Sequence, residues 1–452
     1  MSWEVQVNMA LHFIALLAAA LRMAVPLSPA LKAVLREEHK PGDTSVVTVS
    51  FEVRGDVAGS GDMEKLSAQG RFGFEERILP QRTESCSALR TLRYYNAAGV
   101  ECTVGEERSV RELREPVRLL VAELRGGKPF LYSPSGPLTW EEQQLVEGPM
   151  DSLVMGGFLS TDPVSVGDEW RPSDGAAAAL LNLSTVTNNQ AVCKLDGMDD
   201  TVARIGVRGE VEGTTLGAPT KLVLSGQIVF DRVRTKITHA NLKQTEEHQP
   251  GPIEPGFKVE ASFTFDRRIG SPLARLNDNA IEKLPLAANP ATEQLVYDQP
   301  DGRYRFYFPR GWNVFKSNPQ MVILRLVEDG EWTAQCNVAA APSVAAGTHM
   351  KPEEFRSQVE KALGNQFEKI IQEGEVPAPQ GHWVYRLAAV GAAGGQPVVW
   401  YYHLVANPQG QQLVFIFTLS SRFVEQFGAK DLALVGSLEF APVRTASSTK
   451  DR

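Results

Sequence analysis

The sequence predicts an α+β chain in two parts: a β-rich antiparallel N-terminal domain, then an α/β/α sandwich with an antiparallel sheet. Three observations carry this. The chain has 452 residues, more than one hydrophobic core usually serves. Between Thr44 and Phe265 apolar and polar residues alternate with period two, as half-buried strands do. In the last third such runs are separated by helical stretches. Both alternating faces of Val398–Val405 and Leu413–Leu419 are apolar, which places these strands centrally, covered on each side. With 43% hydrophobic and 22% charged residues the composition is that of an average globular chain, not a largely disordered, collagen-like or multi-span membrane protein. A net charge of -8 lacks the basic footprint of nucleic-acid binding, so no nucleic-acid partner is expected.

The first 33 residues set the expected compartment. Ala10–Leu21 is apolar apart from His12; twelve residues are too few to span a bilayer but suit the core of a signal peptide. Glu4 precedes it without a Lys or Arg, Met9 is an alternative start, and Ser28 and Ala30 are small residues at a candidate cleavage site. Residues 1–33 are read as a signal or leader segment and the protein as periplasmic or otherwise exported, with no transmembrane span. It is cytoplasmic if that leader is not a signal peptide.

Residues 34–270 form the β-rich domain. Val47, Val49, Phe51 and Val53 alternate with Thr48, Ser50 and Glu52, and shorter runs follow at Gly70–Phe74, Leu89–Tyr95, Val117–Leu124 and Pro129–Tyr132. Thr139 and Glu142 make a capping box for a helix that Pro149 interrupts, and Ser173 or Asp174 caps a shorter one over Gly175–Leu181. Long strands return at Gln190–Leu195, Thr201–Val211, Thr220–Phe230, Thr235–Gln244 and Phe257–Phe265. Leu222, Leu224, Ile228 and Phe230 share one face, as in a large curved sheet covered on one side. Ser271-Pro272, Pro285 and Asn289-Pro290 mark residues 271–296 as a linker lying along the surface. In residues 297–441 one helix is expected from Pro352 to Gly374, through Phe355, Val359, Leu363, Phe367, Ile370 and Ile371, and a second over Phe423–Val435. Residues 442–452 are expected to be a disordered tail.

The segment Asp301-Gly302-Arg303-Tyr304-Arg305-Phe306-Tyr307-Phe308-Pro309-Arg310-Gly311-Trp312 resembles the opening of the PsbP-like fold, in which an aromatic strand runs into Pro, one residue and Gly-Trp. The order that follows, strands, long helix, three strands and terminal helix, is also similar, so the resemblance covers about a third of the chain. The whole chain is similar to exported proteins of planctomycete bacteria, and Val166-Gly167-Asp168-Glu169-Trp170 resembles a Gly-Asp-x-Trp turn of β-rich envelope domains. PsbP-like domains are mostly binding or assembly modules, so the resemblance implies no catalytic residues.

Signatures of catalysis are missing: the sequence has no GxSxG, HExxH, GxxxxGK[ST] or GxGxxG, and its Ser-x-x-Lys at Ser447–Lys450 falls in the expected tail. No catalytic, cofactor-binding or metal-ligating residue is assigned, and no cofactor is expected. His382 and His403 fall on neighbouring expected strands and are read as edge-of-core residues bonded to backbone. The pairs Glu37-Glu38, Glu141-Glu142 and Glu246-Glu247 are read as exposed carboxylates. Arg108, Arg111, Arg114 and Arg118, interleaved with acids, are read as the solvated face of a short helix. Of four cysteines, Cys86 and Cys102 flank a strand, and a disulfide between them would contribute roughly 3 kcal/mol in an exported chain; two unpaired thiols are the equal alternative. Trp332, Trp383 and Tyr401 are the candidate partner contacts among the clustered C-terminal aromatics. The expected function is a non-enzymatic exported binding or assembly module whose partner is a protein or another envelope component. The alternatives are a carrier of a lipid or other apolar ligand in the curved sheet, and an enzyme with an unrecognised site.

Overall fold

The computed structural model describes residues 32–59, 62–80, 89–148, 150–282, 284–378 and 381–441. Residues 1–31, Cys86, Pro149 and the expected tail from Pro442 onward lie outside the described residues.

Strands β1 (Thr44–Ala58), β2 (Met63–Ile78), β3 (Arg90–Val104), β4 (Glu107–Glu112), β5 (Leu119–Arg125), β6 (Lys128–Tyr132) and β7 (Leu138–Thr139) lead into helix α1 (Trp140–Val146). After β8 (Glu169–Trp170) and helix α2 (Asp174–Leu180) come β9 (Thr185–Asn189), β10 (Val192–Met198), β11 (Val202–Thr215), β12 (Ala218–Asp231), β13 (Lys236–His248) and β14 (Phe257–Ile269). All but β7 join one antiparallel sheet in the order β6-β5-β3-β2-β1-β14-β13-β12-β11-β10-β8, with β4 on β3 and β9 on β11. Its inner face carries Val49, Phe74, Phe265, Ala240, Ile228 and Ile205. Leu145 of α1, Met155 and Phe158 of the turn between the helices, Leu180 of α2 and Leu35 of the leading segment pack against that face. Thr48, Ser50 and Glu52 line the other. Both sequence-read helix caps form: Thr139 and Glu142 make the capping box, and the Ser173 side chain accepts from the Ala176 amide.

The C-terminal half contains β15 (Leu295–Asp298), β16 (Tyr304–Phe308), β17 (Trp312–Ser317), β18 (Met321–Glu328), β19 (Glu331–Ala341), helix α3 (Pro352–Leu363), β20 (Phe367–Glu375), β21 (Trp383–Ala393), β22 (Gln396–Ala406), β23 (Gln412–Ser420), helix α4 (Lys430–Gly436) and β24 (Glu439–Phe440). An antiparallel sheet runs β17-β18-β19-β23-β22-β21-β20, and β24-β16-β15-β7 form a small second sheet. Central β22 is buried on both faces, as its sequence requires: Trp400, Tyr402 and Leu404 meet Phe355, Val359 and Leu363 of α3. Val399, Tyr401 and Val405 face a core shared with Trp312 and Phe427.

Four local expectations are corrected. Helix α3 ends at Leu363 because Gly364 takes φ 53°, and Phe367–Glu375 becomes edge strand β20 instead of further helix. The second helix is broken at Gly428, φ 56°, into a single turn Val424–Phe427 and α4. Neither glycine meets the steric penalty that a side chain would at positive φ, so apolar periodicity continues across a break in the helix. The mixed-charge Arg108–Glu112 stretch is the wholly exposed edge strand β4, not a helix. Strand β15 starts at Leu295, inside residues 271–296, and pairs in parallel with β7 of the N-terminal half. The rest of that segment is laid on the sheet: Leu276 is buried with Leu92, Val121 and Tyr132, and the Leu286 carbonyl accepts from Arg90 and Tyr132. Trp140 donates to Asn313, and Arg310 pairs with Glu147 at 2.9 Å, so one apolar core runs through both halves.

Candidate functional site

The sequence-read contacts separate by burial. Tyr401 is 7% exposed, stacked on Phe427 at 6.0 Å with the Arg386 guanidinium over its ring, so it is a core residue and not a surface contact. Trp383 is half-buried in a stack with His349 at 3.5 Å and Tyr385 at 6.0 Å. Trp332 is 47% exposed. Cys102 is a half-buried free thiol on β3, raised by burial; its expected partner Cys86 lies outside the described residues. The turn at Val166–Trp170 forms with Gly167 at φ 98° and Trp170 donating to the Phe158 carbonyl.

His382 and His403 do not form a pair of ligands. His403 lies opposite Arg386 in the β21–β22 register, whereas His382 packs edge-on against Phe440. His403 is fully buried, and its Nε2 lies 3.0 Å from Asp431 on α4, not on a backbone group as expected from sequence. Burial holds His403 below its ordinary value despite that carboxylate, and Arg386 donates to the same Asp431 oxygen at 2.8 Å. Among the described residues no group of three His, Cys, Asp or Glu is arranged to hold a metal ion.

The carboxylates read as exposed are not uniformly so. Glu37 is buried, its Oε1 receiving Arg267 at 2.6 Å and the Ile237 amide at 2.7 Å. Burial alone would raise Glu37; Arg267 and His39 outweigh it and hold the carboxyl at about 2. Glu142 is buried under a two-pronged Arg114 contact at 2.6 and 2.7 Å. Glu246 points to the inner face beside Leu222 and Val259, where burial and then Glu254 push it up to about 7. A further network had no sequence signal: buried Arg93 grips Asp151 with two bonds at 2.6 and 2.7 Å and donates to Glu76 at 3.0 Å. Ser152 joins Arg93 to Glu76, and its carbonyl receives Arg267 at 2.7 Å. Glu37, Glu142 and Arg93 thus lie beside opposite charges, as buried charges must, whereas Glu246 has no cation beside it and Arg267 Nε no hydrogen-bond partner among the described residues.

Two broad openings lie among the described residues. A trough of about 660 Å³ on the polar face of the large sheet is walled by Arg71, Gln69, Glu101, Glu112 and Arg118. A groove of about 750 Å³ lies between the leading segment and α2, lined by Leu35, Leu124, Leu153, Leu159, Ala176 and Ala179.

The most distinctive surface lies on the β17–β18–β19 edge of the seven-stranded sheet. A bulge between Val314 and Lys316 turns Phe315 out, 40% exposed. The Arg325 guanidinium lies over the Phe315 ring at 3.4 Å and over the Trp332 ring at 4.6 Å. Arg325 donates from Nε to Gln335 Oε1 at 3.1 Å and from Nη1 to the Pro252 carbonyl of the other half. The Gln335 amide is fixed by Asn337 at 3.0 Å, and the Trp332 indole donates to the Ala334 carbonyl at 3.0 Å. The Trp332 ring is thus held in the open by its own hydrogen bond, and the Phe315 ring by its contact with an Arg325 that hydrogen bonds fix.

No family model matches the chain, and no curated protein is similar to it in sequence. Among solved structures it has weak neighbours. One is lipovitellin, described for its lipid–protein interactions, at 11% identity and TM-score 0.32, covering 53% of this chain and 26% of that one. The cyanobacterial PsbP of Synechocystis sp. PCC 6803 is 15% identical with TM-score 0.26, covering 35% and 99%. The Saccharomyces cerevisiae Ran-binding protein Mog1p is 13% identical with TM-score 0.26, covering 32% and 95%. The chain spans about a quarter of the length of the lipovitellin it matches. The architecture itself is α+β and mostly antiparallel sheet, and a PsbP fold is among its weak neighbours.

Proposed function

We propose that this chain is a non-enzymatic binding module, exported to the cell envelope, that engages a protein partner through the Phe315–Arg325–Trp332 surface. The observation that carries the reading is the pair of large aromatic rings left 40% and 47% exposed around an ordered arginine. Aromatic and Arg side chains are the residues that dominate interface energy, and rings already fixed lose little freedom on binding. Elsewhere the groups with chemical potential, Arg93, Asp151, Glu37, Arg267, His403 and Asp431, are paired with each other inside the core. The apolar-ligand carrier is the second reading, favoured by the groove lined by Leu35, Leu124, Leu153 and Leu159.

The test is affinity capture from the source cells with the wild-type chain, Trp332→Ala and Phe315→Ala. A protein retained by wild type and lost by both variants supports the reading; one retained equally by all three sinks it. Native mass spectrometry of the same purified chain addresses the carrier, which requires a co-purifying apolar mass. Fractionation of those cells addresses export.

A further inference from the structure

Arg325 differs from five other ordered arginines in what compensates its charge. Arg93, Arg114, Arg267, Arg310 and Arg386 each hold a carboxylate within 4 Å. Arg325 is half-buried, and its bonds go to a side-chain amide and a backbone carbonyl, both neutral. Among the described residues no carboxylate forms an ion pair with it, and burial lowers it from its ordinary value with no acid to oppose the shift. Of the acids at the nearby β18–β19 turn, Glu328 pairs with Lys430 and Glu331 with Arg422, while Asp329 is exposed and forms no ion pair with Arg325.

A guanidinium has five N–H donors in a planar fork, and it takes carboxylates with two parallel bonds. Here Nε and one Nη1 hydrogen are used, the faces lie against Phe315 and Trp332, and the hydrogens of Nη2 have no partner among the described residues. The ring contacts and the Gln335–Asn337 brace fix the fork, so an incoming anion meets a donor that has already lost its rotamer freedom. Poorly solvated positive charge without its own counter-ion is complementary to an acid, and the flanking rings are complementary to an apolar residue beside that acid.

We propose that Arg325 is the receptor for a carboxylate in an acidic segment of the partner protein, with Phe315 and Trp332 clasping an apolar side chain next to that acid. This rests on the binding surface proposed above and adds the chemistry that the surface selects. Specificity then lies in the fork and bulk affinity in the rings. Arg325→Lys keeps the charge but loses the planar fork, so it is expected to behave like Arg325→Gln.

A phage-displayed library of random dodecapeptides selected on the full-length chain tests this. The expected result is enrichment of peptides with Asp or Glu beside an apolar residue. Their affinity should fall at least tenfold against Arg325→Gln and Arg325→Lys, and equally when the peptide acid is changed to its amide. Pairing Arg325→Gln with the amide peptide should cost no more than either change alone. Thermal melts of each variant check folding, and the peptide-side change needs no protein variant at all. Selected peptides without acid enrichment, or affinity unchanged by the amide peptide, overturn the carboxylate assignment. If Trp332→Ala still abolishes binding in that case, the surface stands and only its chemistry is wrong. If neither Trp332→Ala nor Phe315→Ala matters, the surface itself is wrong.

Discussion

Arg93 in the large sheet and Arg325 in the smaller one are both ordered arginines beside aromatic rings, and they show two solutions to the same problem. Arg93 is 1% exposed, over Phe74 at 4.9 Å, and has Asp151 and Glu76 as counter-ions. Arg325 is half-buried between strands, has rings and neutral acceptors, and has no acid. The first arrangement is closed: its groups tie β2 and β3 to the segment after α1. The second is open at one edge. Aromatic contact is common to both, so an arginine's availability is read from its burial and its counter-ions.

The largest expected effect breaks the closed case. Arg93→Met leaves Asp151 and Glu76 buried without a cation, and stability should fall by about 3–5 kcal/mol, or folding should fail, in denaturant titration. Arg325→Gln in the same assay should change stability by less than about 1 kcal/mol. Equal losses would mean that Arg325 is a structural staple.

Trp312→Ala comes next. The strand ends at Phe308, the Trp312 amide bonds back to the Pro309 carbonyl, and the ring is 1% exposed against Phe417 and Phe427. Truncating an aromatic in such a core costs roughly 3–5 kcal/mol, and a melt within a degree or two of wild type would refute the packing role.

Acid should then weaken the large sheet's buried ion pair. Glu37 is held at about 2 against an ordinary 4.5, so its contribution is present above pH 4.5 and is lost as pH falls from 4.5 through 2. The size is about 3 kcal/mol, because each tenfold change in proton affinity is worth about 1.4 kcal/mol. Stability measured by denaturant titration at pH 6 and pH 3 should drop less in Glu37→Gln than in wild type; parallel curves would show that Glu37 is not held low.

Smaller effects sharpen the comparison. Thr139→Ala removes the side chain that accepts the Glu142 amide at 3.2 Å, at a cost of about 1 kcal/mol. Trp332→Ala, on the surface, should change stability by no more than about 0.5 kcal/mol while losing the partner, which calorimetry beside the capture assay would establish.

Elements whose signal is local can be read from the residue order alone. Alternation placed the long strands, the two-sided apolar character of Val398–Val405 placed β22 at the centre, and Thr139 and Glu142 placed a helix start. Residue order also marked Trp332 as a candidate contact, but could not distinguish it from Tyr401, because an aromatic on a strand looks the same whether or not another element covers it. Helix ends at Gly364 and Gly428 were missed because apolar spacing continues past them, while the positive φ that stops the helix appears only in the backbone. Burial of Glu37, Glu142 and Arg93 was illegible for a stronger reason. A charge is expensive to bury alone and tolerable beside its opposite, and the opposites arrive from 230, 28 and 58 positions away. Only the tertiary structure brings such partners together, and only it leaves Arg325 without one.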